Sequence, residues 1–136
     1  MPKRGYSNPS SMKIAIIIAR VLLGIVFAVF GMNAFLHFIP HSDQLPPGQA
    51  GAFVGALFVS KYFYAIATLQ VLGGLIVLLG RYVAVGLVLL GPIIVNILLF
   101  HICLAPVGAQ PAIIVALLEL FLIWAYRDRF APIFKP

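Results

Sequence analysis

The chain has 136 residues, 63% of them hydrophobic and only 9% charged, with a formal net charge of +6. Together with a mean hydropathy of +1.14, this lies far above the apolar share of a soluble domain, which excludes a water-soluble enzyme and indicates an integral membrane protein. A bilayer core of ~30 Å takes ~20 helical residues per crossing, so four crossings and their connections account for nearly all of this sequence and leave no room for a soluble catalytic domain.

The first apolar run covers residues 14–39 and follows Lys3, Arg4 and Lys13. A signal peptide has a similar basic start, but its apolar core spans only ~7–15 residues and ends at a small-residue cleavage site, which this run lacks. A retained transmembrane helix is expected. Gly24, Ala28 and Gly31 form a stripe of small residues on it, suited to close approach of a second backbone. Next comes the turn-rich "PHSDQLPPGQ" and then "AGAFVGALFVS". That second segment reads as a short extracytoplasmic interfacial helix from about Gly51 to Ser60. Its small side (Gly51, Ala52, Gly55, Ala56, Ser60) is expected against the bundle, and its bulky side (Phe53, Val54, Leu57, Phe58) toward lipid or a partner.

The second run, residues 62–79, carries Gln70, Gly73 and Gly74, and a tight hairpin at Gly80 and Arg81 leads into the third, residues 82–104. Pro92 in that run removes a backbone hydrogen bond and bends the helix. Cys103, the single cysteine, excludes an internal disulfide and a paired-cysteine redox centre, and is expected to be a buried small apolar residue. After the uncharged turn "APVGAQPA", the fourth run covers residues 112–126. The expected fold class is therefore all-α, a four-helix integral membrane bundle in one transmembrane domain.

Basic residues set the orientation. Lys3, Arg4, Lys13 and Arg20 fall at the start of run one, Arg81 between runs two and three, and Arg127, Arg129 and Lys135 after run four; only Lys61 lies on the other side. Both termini are expected to be cytoplasmic. The positive charge then serves topology and attraction to anionic membrane lipids. Nucleic acid is excluded as a partner, since no soluble face clusters Lys and Arg.

Polar groups inside hydrocarbon are costly and rarely face lipid, which makes Asn33, His37, Gln70, Asn96 and His101 the candidate ligand pocket. Asn33 and His37 share a helix face, and Asn96 and His101 lie within roughly 140° of each other. Both histidines fall near the outer end of the core and Gln70 nearer mid-depth, so one outward-opening cavity could be lined by all five. Three readings fit it: interhelical hydrogen bonding alone, a pocket for a small amphipathic molecule such as a quinone head group, or metal or haem ligation. No third or fourth ligand supports a metal, and none is assigned. No catalytic residue is assigned either, because Ser60 and Thr68 lack a base.

Arg20 and Glu119 remain. Counted from the cytoplasmic end they lie ~9 and ~10 Å deep, so an ion pair clasping the first and last helices is expected. Snorkelling of Arg20 to the interface and a place for Glu119 in a proton path are the competing readings.

The runs "ARVLLGIVFAVFGMNAFLHFIP", "LPPGQAGAFVGALFVSKYF", "LQVLGGLIVLLGRYVAVGLVLLGPIIVNILLFH" and "LIWAYRDRFAPIF" together resemble the DoxX family of small bacterial four-helix membrane proteins. The resemblance runs from Ala19 to Phe134, with "NILLFH" and "WAYRD" its most distinctive parts. It implies a multi-pass protein of the bacterial cytoplasmic (inner) membrane and a quinone-linked or accessory role. The family often has a glutamate in the second span where this chain has Gln70, which removes a proton-handling carboxylate there. Two functions are carried forward. One is a non-catalytic subunit accessory to a larger membrane redox or photosynthetic complex, with a membrane-protein partner or a second copy. The other is a quinone- or small-molecule-binding oxidoreductase subunit using the five pocket residues. Solute transport is weaker, since so small a chain would need to oligomerise to enclose a path.

Overall fold

A computed structural model of the protein describes residues 9–40 and 42–136. Lys3 and Arg4, which entered the charge count, lie outside them. The elements are α1 (Pro9–Leu36), α2 (Gly48–Val59), α3 (Tyr62–Leu79), α4 (Val83–Cys103), α5 (Ala109–Ala125), α6 (Arg127–Phe130) and a closing 3₁₀ turn, Ala131–Phe134. Among the described residues there is no strand. The helices α1, α3 and α4 are each long and apolar enough to cross a membrane, and α5 reaches that standard only together with residues 127–134, from which it is bent by 72°.

Boundaries differ from the sequence reading where a local cap decides. Helix α1 begins at Pro9 and stops at Leu36, so residues 37–39 lie beyond it. His37 takes a left-handed conformation (φ +52°), and its N–H donates to the Asn33 carbonyl at 2.9 Å, which closes the last turn. The Asn33 side-chain oxygen then accepts the Ile39 N–H at 2.7 Å, turning the chain ahead of Pro40. Helix α5 starts at Ala109, three residues before the expected 112, directly after Gly108 at φ +92°.

Helix α3 stands between α1 and α4, and α5 closes the arrangement by packing on both α4 and α1. Leu23, Val77, Leu87, Leu90 and Leu122 fill the centre. The outer surface carries Ile17, Leu22, Val88, Val95, Leu99 and Leu120, all exposed, an apolar exterior far larger than soluble monomers show and suited to a hydrocarbon surrounding. Cys103 belongs to that exterior rather than to the core expected for it.

In lipid, apolar side chains gain little from leaving their solvent, so close backbone packing carries helix association. Two adjacent glycines of α3 allow it on both sides. A Cβ at Gly74 would stand 2.6 Å from the Ala28 backbone nitrogen and 2.8 Å from the Gly24 carbonyl of α1, and one at Gly73 would stand 2.8 Å from Leu90 of α4.

The segment between α1 and α3 is helical as expected, but its faces are not sorted by size as expected: Ala50 and Gly51 are its buried residues, and Phe53 and Phe58 meet rings of the bundle while keeping an exposed side. Gly51 packs against the Pro46 carbonyl and Gly55 against Leu45, in the chain leading into α2, while Phe53 reaches Phe100 (ring centroids 5.7 Å) and Phe58 reaches Phe63 (4.6 Å). Aromatic pairs at such separations add ~0.5–1.5 kcal/mol beyond their burial, whereas a glycine face offers a partner little area. The bulky side therefore borders α3 and α4 through Phe53, Val54 and Leu57, with Phe53 and Phe58 still partly open to the outside.

Gly74→Ala is expected to destabilise the protein by ~1–3 kcal/mol through overpacking, despite the better helix propensity of alanine. Gly55→Ala, whose Cβ would meet only the Leu45 side-chain end at 3.3 Å, is expected to leave stability unchanged. Thermal unfolding in detergent followed by circular dichroism distinguishes the two.

Candidate functional site

Of the five polar residues, Asn33 lies in the last turn of α1 and His37 just beyond it, Asn96 and His101 lie in the C-terminal part of α4, and Gln70, midway along α3, borders clefts shared with both pairs. A cleft of about 320 Å³ on the α1 side is lined by Phe30, Asn33, His37, Phe58, Phe63 and Gln70. A second, of about 210 Å³, lies under Phe53, Val54 and Leu57 of α2 and takes in Gln70, Asn96 and His101. A third, of about 360 Å³, runs inward past Gln70 and His101 to Pro111 and Val115 of α5. All three share the Gln70 side chain.

Gly31 allows this placement. A Cβ there would stand 3.0 Å from the Gln70 Cβ and 2.9 Å from the Ala67 carbonyl, so the Gln70 stem lies directly against α1. Its amide has no hydrogen-bond partner among the described residues, yet it is not among the buried polar atoms left unsatisfied. It opens onto the clefts. An amide in that position offers two N–H donors and one carbonyl acceptor.

The other members are less free. Asn33 commits its carbonyl oxygen to the Ile39 N–H, so that its NH₂ is the group not yet engaged. His101 Nδ1 lies 3.0 Å from the Ala105 carbonyl; a carbonyl only accepts, so Nδ1 carries the proton and Nε2 is left as the available ring atom. Asn96 is exposed between α3 and α4 and lines a further cleft with Tyr62, Leu69 and Pro92. His37 is exposed at the rim. No single cleft takes in all five: Asn33 and His37 line the one on the α1 side and Asn96 and His101 the one under α2, with Gln70 common to both, and among the described residues no hydrogen bond joins the five to one another.

Four aromatic rings were not foreseen as part of the site. Phe53 and Phe58 of α2, Phe63 of α3 and Phe100 of α4 line the two outer clefts, and Phe35 meets Tyr64 in a tilted pair with ring centroids 5.5 Å apart. The crowding of aromatics in "FVSKYFY" and at Phe53 was the available signal. Among the described residues no three His, Cys, Asp or Glu side chains converge.

The expected ion pair is not formed. Arg20 Nη1 donates instead to the Tyr126 hydroxyl at 3.5 Å, and its guanidinium lies over Gly80. Glu119, only 4% exposed, faces Gly91 of α4 with neither carboxylate oxygen partnered. Tyr126 and Glu119 are two turns apart on α5, or ~10 Å. Counting depth by residue placed the two charges level, but the long Arg20 side chain runs toward the helix end and enlarges the gap.

No family model, curated protein or solved structure matches the chain.

Asn33→Ala is expected to lower stability by about 1 kcal/mol by losing the Ile39 bond, and Asn33→Asp, which keeps the acceptor, to lose less. Denaturation of both variants in the same detergent checks this.

Proposed function

We propose that the protein is a DoxX-like, four-span membrane subunit that holds an amphipathic ring compound of the quinone class beneath α2. The observation that carries this reading is the Gln70 amide, unpartnered and shared by three aromatic-lined clefts. Small-molecule sites are mostly apolar concavities with a few convergent polar groups, commonly of ~300–1,000 Å³. The adjoining clefts reach that size together, and Gln70 contributes to each.

The chemistry matches a ring bearing carbonyl or hydroxyl groups. Gln70 and Asn96 supply N–H donors to a ring carbonyl, and His101 Nε2 supplies an acceptor to a ring hydroxyl. Phe53, Phe63 and Phe100 offer faces and edges for the ring itself. A lipid-soluble tail would leave between helices into the membrane. The role is holding and orienting the molecule for a partner redox complex, without a reaction completed by this chain alone.

The proposed topology puts α2 outside and Arg20, Arg81, Arg127 and Arg129 at the cytoplasmic face, by the positive-inside bias. In a Cys103→Ser background, a membrane-impermeant maleimide is expected to label Ser42→Cys in intact spheroplasts and Lys135→Cys only after permeabilisation. The opposite pattern would reverse the orientation.

Gentle detergent extraction followed by analysis of bound lipids, pigments and quinones tests the function. A quinone co-purifying with the isolated protein is expected, and Gln70→Leu should weaken its retention about five- to tenfold, as the loss of one or two net hydrogen bonds implies. A stoichiometric large partner with no bound small molecule would instead favour a purely docking subunit.

A further inference from the structure

The end of the molecule away from α2 carries a second cleft of different character. It measures about 370 Å³ and opens between the α3–α4 hairpin and the elbow joining α5 to α6, where Arg81, Tyr82, Val83, Tyr126 and Arg129 line it. A third guanidinium stands behind two of its lining residues, Gly80 and Tyr126. Arg20 of α1 occupies the space beside Gly80, where a Cβ would stand 2.7 Å from its Cζ, and donates to the Tyr126 hydroxyl. That hydroxyl, having accepted from Arg20, keeps its own proton to give to a group in the cleft.

The cleft is cationic without internal compensation. Among the described residues no carboxylate pairs with Arg20, Arg81 or Arg129. Asp128 is exposed on α6 and does not line the cleft. Arg127 is engaged elsewhere, donating to the Trp124 carbonyl at 2.9 Å and covering the Trp124 ring. The first residues of α4, Val83 and Ala84, also line the cleft, and N–H groups at the start of a helix have no intrahelical acceptor. Guanidinium forks, a hydroxyl proton and free amides together form a donor set for a phosphate oxygen cluster.

The surroundings say which phosphate. Val85 belongs to the cleft and is 52% exposed, and Val88, one turn deeper on the same face of α4, is 55% exposed. The cationic cleft thus runs without a break onto an apolar, outward-facing track. Beside it, the 72° bend after α5 turns residues 127–134 off the helix axis with Ile133 and Phe134 exposed, as a segment lying in the membrane interface would be. A free phosphate would use the donors and leave the track unused.

We propose that the cleft lined by Arg81, Tyr126 and Arg129, backed by Arg20, binds the phosphodiester of an anionic phospholipid whose acyl chains lie along Val85 and Val88. The site is independent of the ligand reading for the α2 end, and its failure would leave that reading untouched. It ties the hairpin, the first helix and the final elbow together through one lipid.

The full chain is delipidated in a neutral detergent and its thermal unfolding followed with phosphatidylglycerol, phosphatidylcholine or inorganic phosphate added, alongside native mass spectrometry of retained lipid. Phosphatidylglycerol is expected to raise the unfolding temperature by several degrees and to persist in the gas phase, with the other two having little effect. Arg81→Gln with Arg129→Gln should bind it at least about tenfold more weakly, as the loss of charge-assisted hydrogen bonds implies, while Lys61→Gln at the opposite end binds as the parent does. Should the double glutamine variant fail to fold, the comparison of the three additives on the parent protein still decides. Equal stabilisation by phosphatidylcholine, equal stabilisation by inorganic phosphate, or undiminished binding by the folded double variant would each overturn the proposal.

Discussion

Everything else in the structure depends on how closely α3 approaches both of its neighbours. Gly74 lets the α1 backbone in near Gly24 and Ala28, and Gly73 lets Leu90 of α4 settle on the other side. In a hydrocarbon surrounding, packing of this kind replaces the hydrophobic effect as the main attraction between helices. It also fixes rotation. With two successive residues committed to opposite neighbours, α3 cannot turn about its axis, and the residue one turn toward α2, Gln70, is held between them. Gly31 removes the last obstacle to the Gln70 stem lying against α1. The position of a polar amide at the meeting point of three clefts is thus a consequence of glycine placement.

The same constraint leaves the two ends of the molecule chemically different. At the α2 end the polar groups are amides and imidazoles, set among phenylalanines. At the other, Arg20 donates to the Tyr126 hydroxyl beside a cleft lined by Arg81 and Arg129. Between them Glu119 is buried near Gly91 with no partner for either oxygen. Neutral donors and acceptors can exchange a ring-shaped guest at modest electrostatic cost, whereas fixed cations favour a persistent anion.

Much of this was readable from residue order, because helical periodicity and small-residue spacing are local properties. The stripe of Gly24, Ala28 and Gly31 does meet α3, at Gly74 and near Gln70, while Gly73 serves the same purpose toward α4. The five polar residues were grouped by counting rise along helices, and they do line adjoining clefts. What failed were the inferences that needed side-chain direction. Helix α2 has no contrast of polarity between its faces, only of size, and size alone could not say that Phe53 and Phe58 would find aromatic partners on α4 and α3. Depth counting matched Arg20 to Glu119, but a guanidinium reaches a turn or more from its own Cα and here finds Tyr126. Asn33 belongs to the pocket by its spacing from His37, yet its side-chain oxygen accepts the Ile39 N–H and holds the turn after α1.

Helix α2 lays Phe53 and Leu57 over the clefts around Gln70. Cysteine cross-linking in native membranes tests it most directly, in a Cys103→Ser background to remove the natural thiol. The pair Phe53→Cys and Phe100→Cys replaces two rings whose centroids are 5.7 Å apart, and a short bis-maleimide should join it in high yield. The pair Ala52→Cys and Phe100→Cys, with Ala52 exposed on the outer side of α2, should remain unlinked. Efficient linkage through position 52 with none through position 53 would mean that the small face is turned inward, and would contradict the site as described.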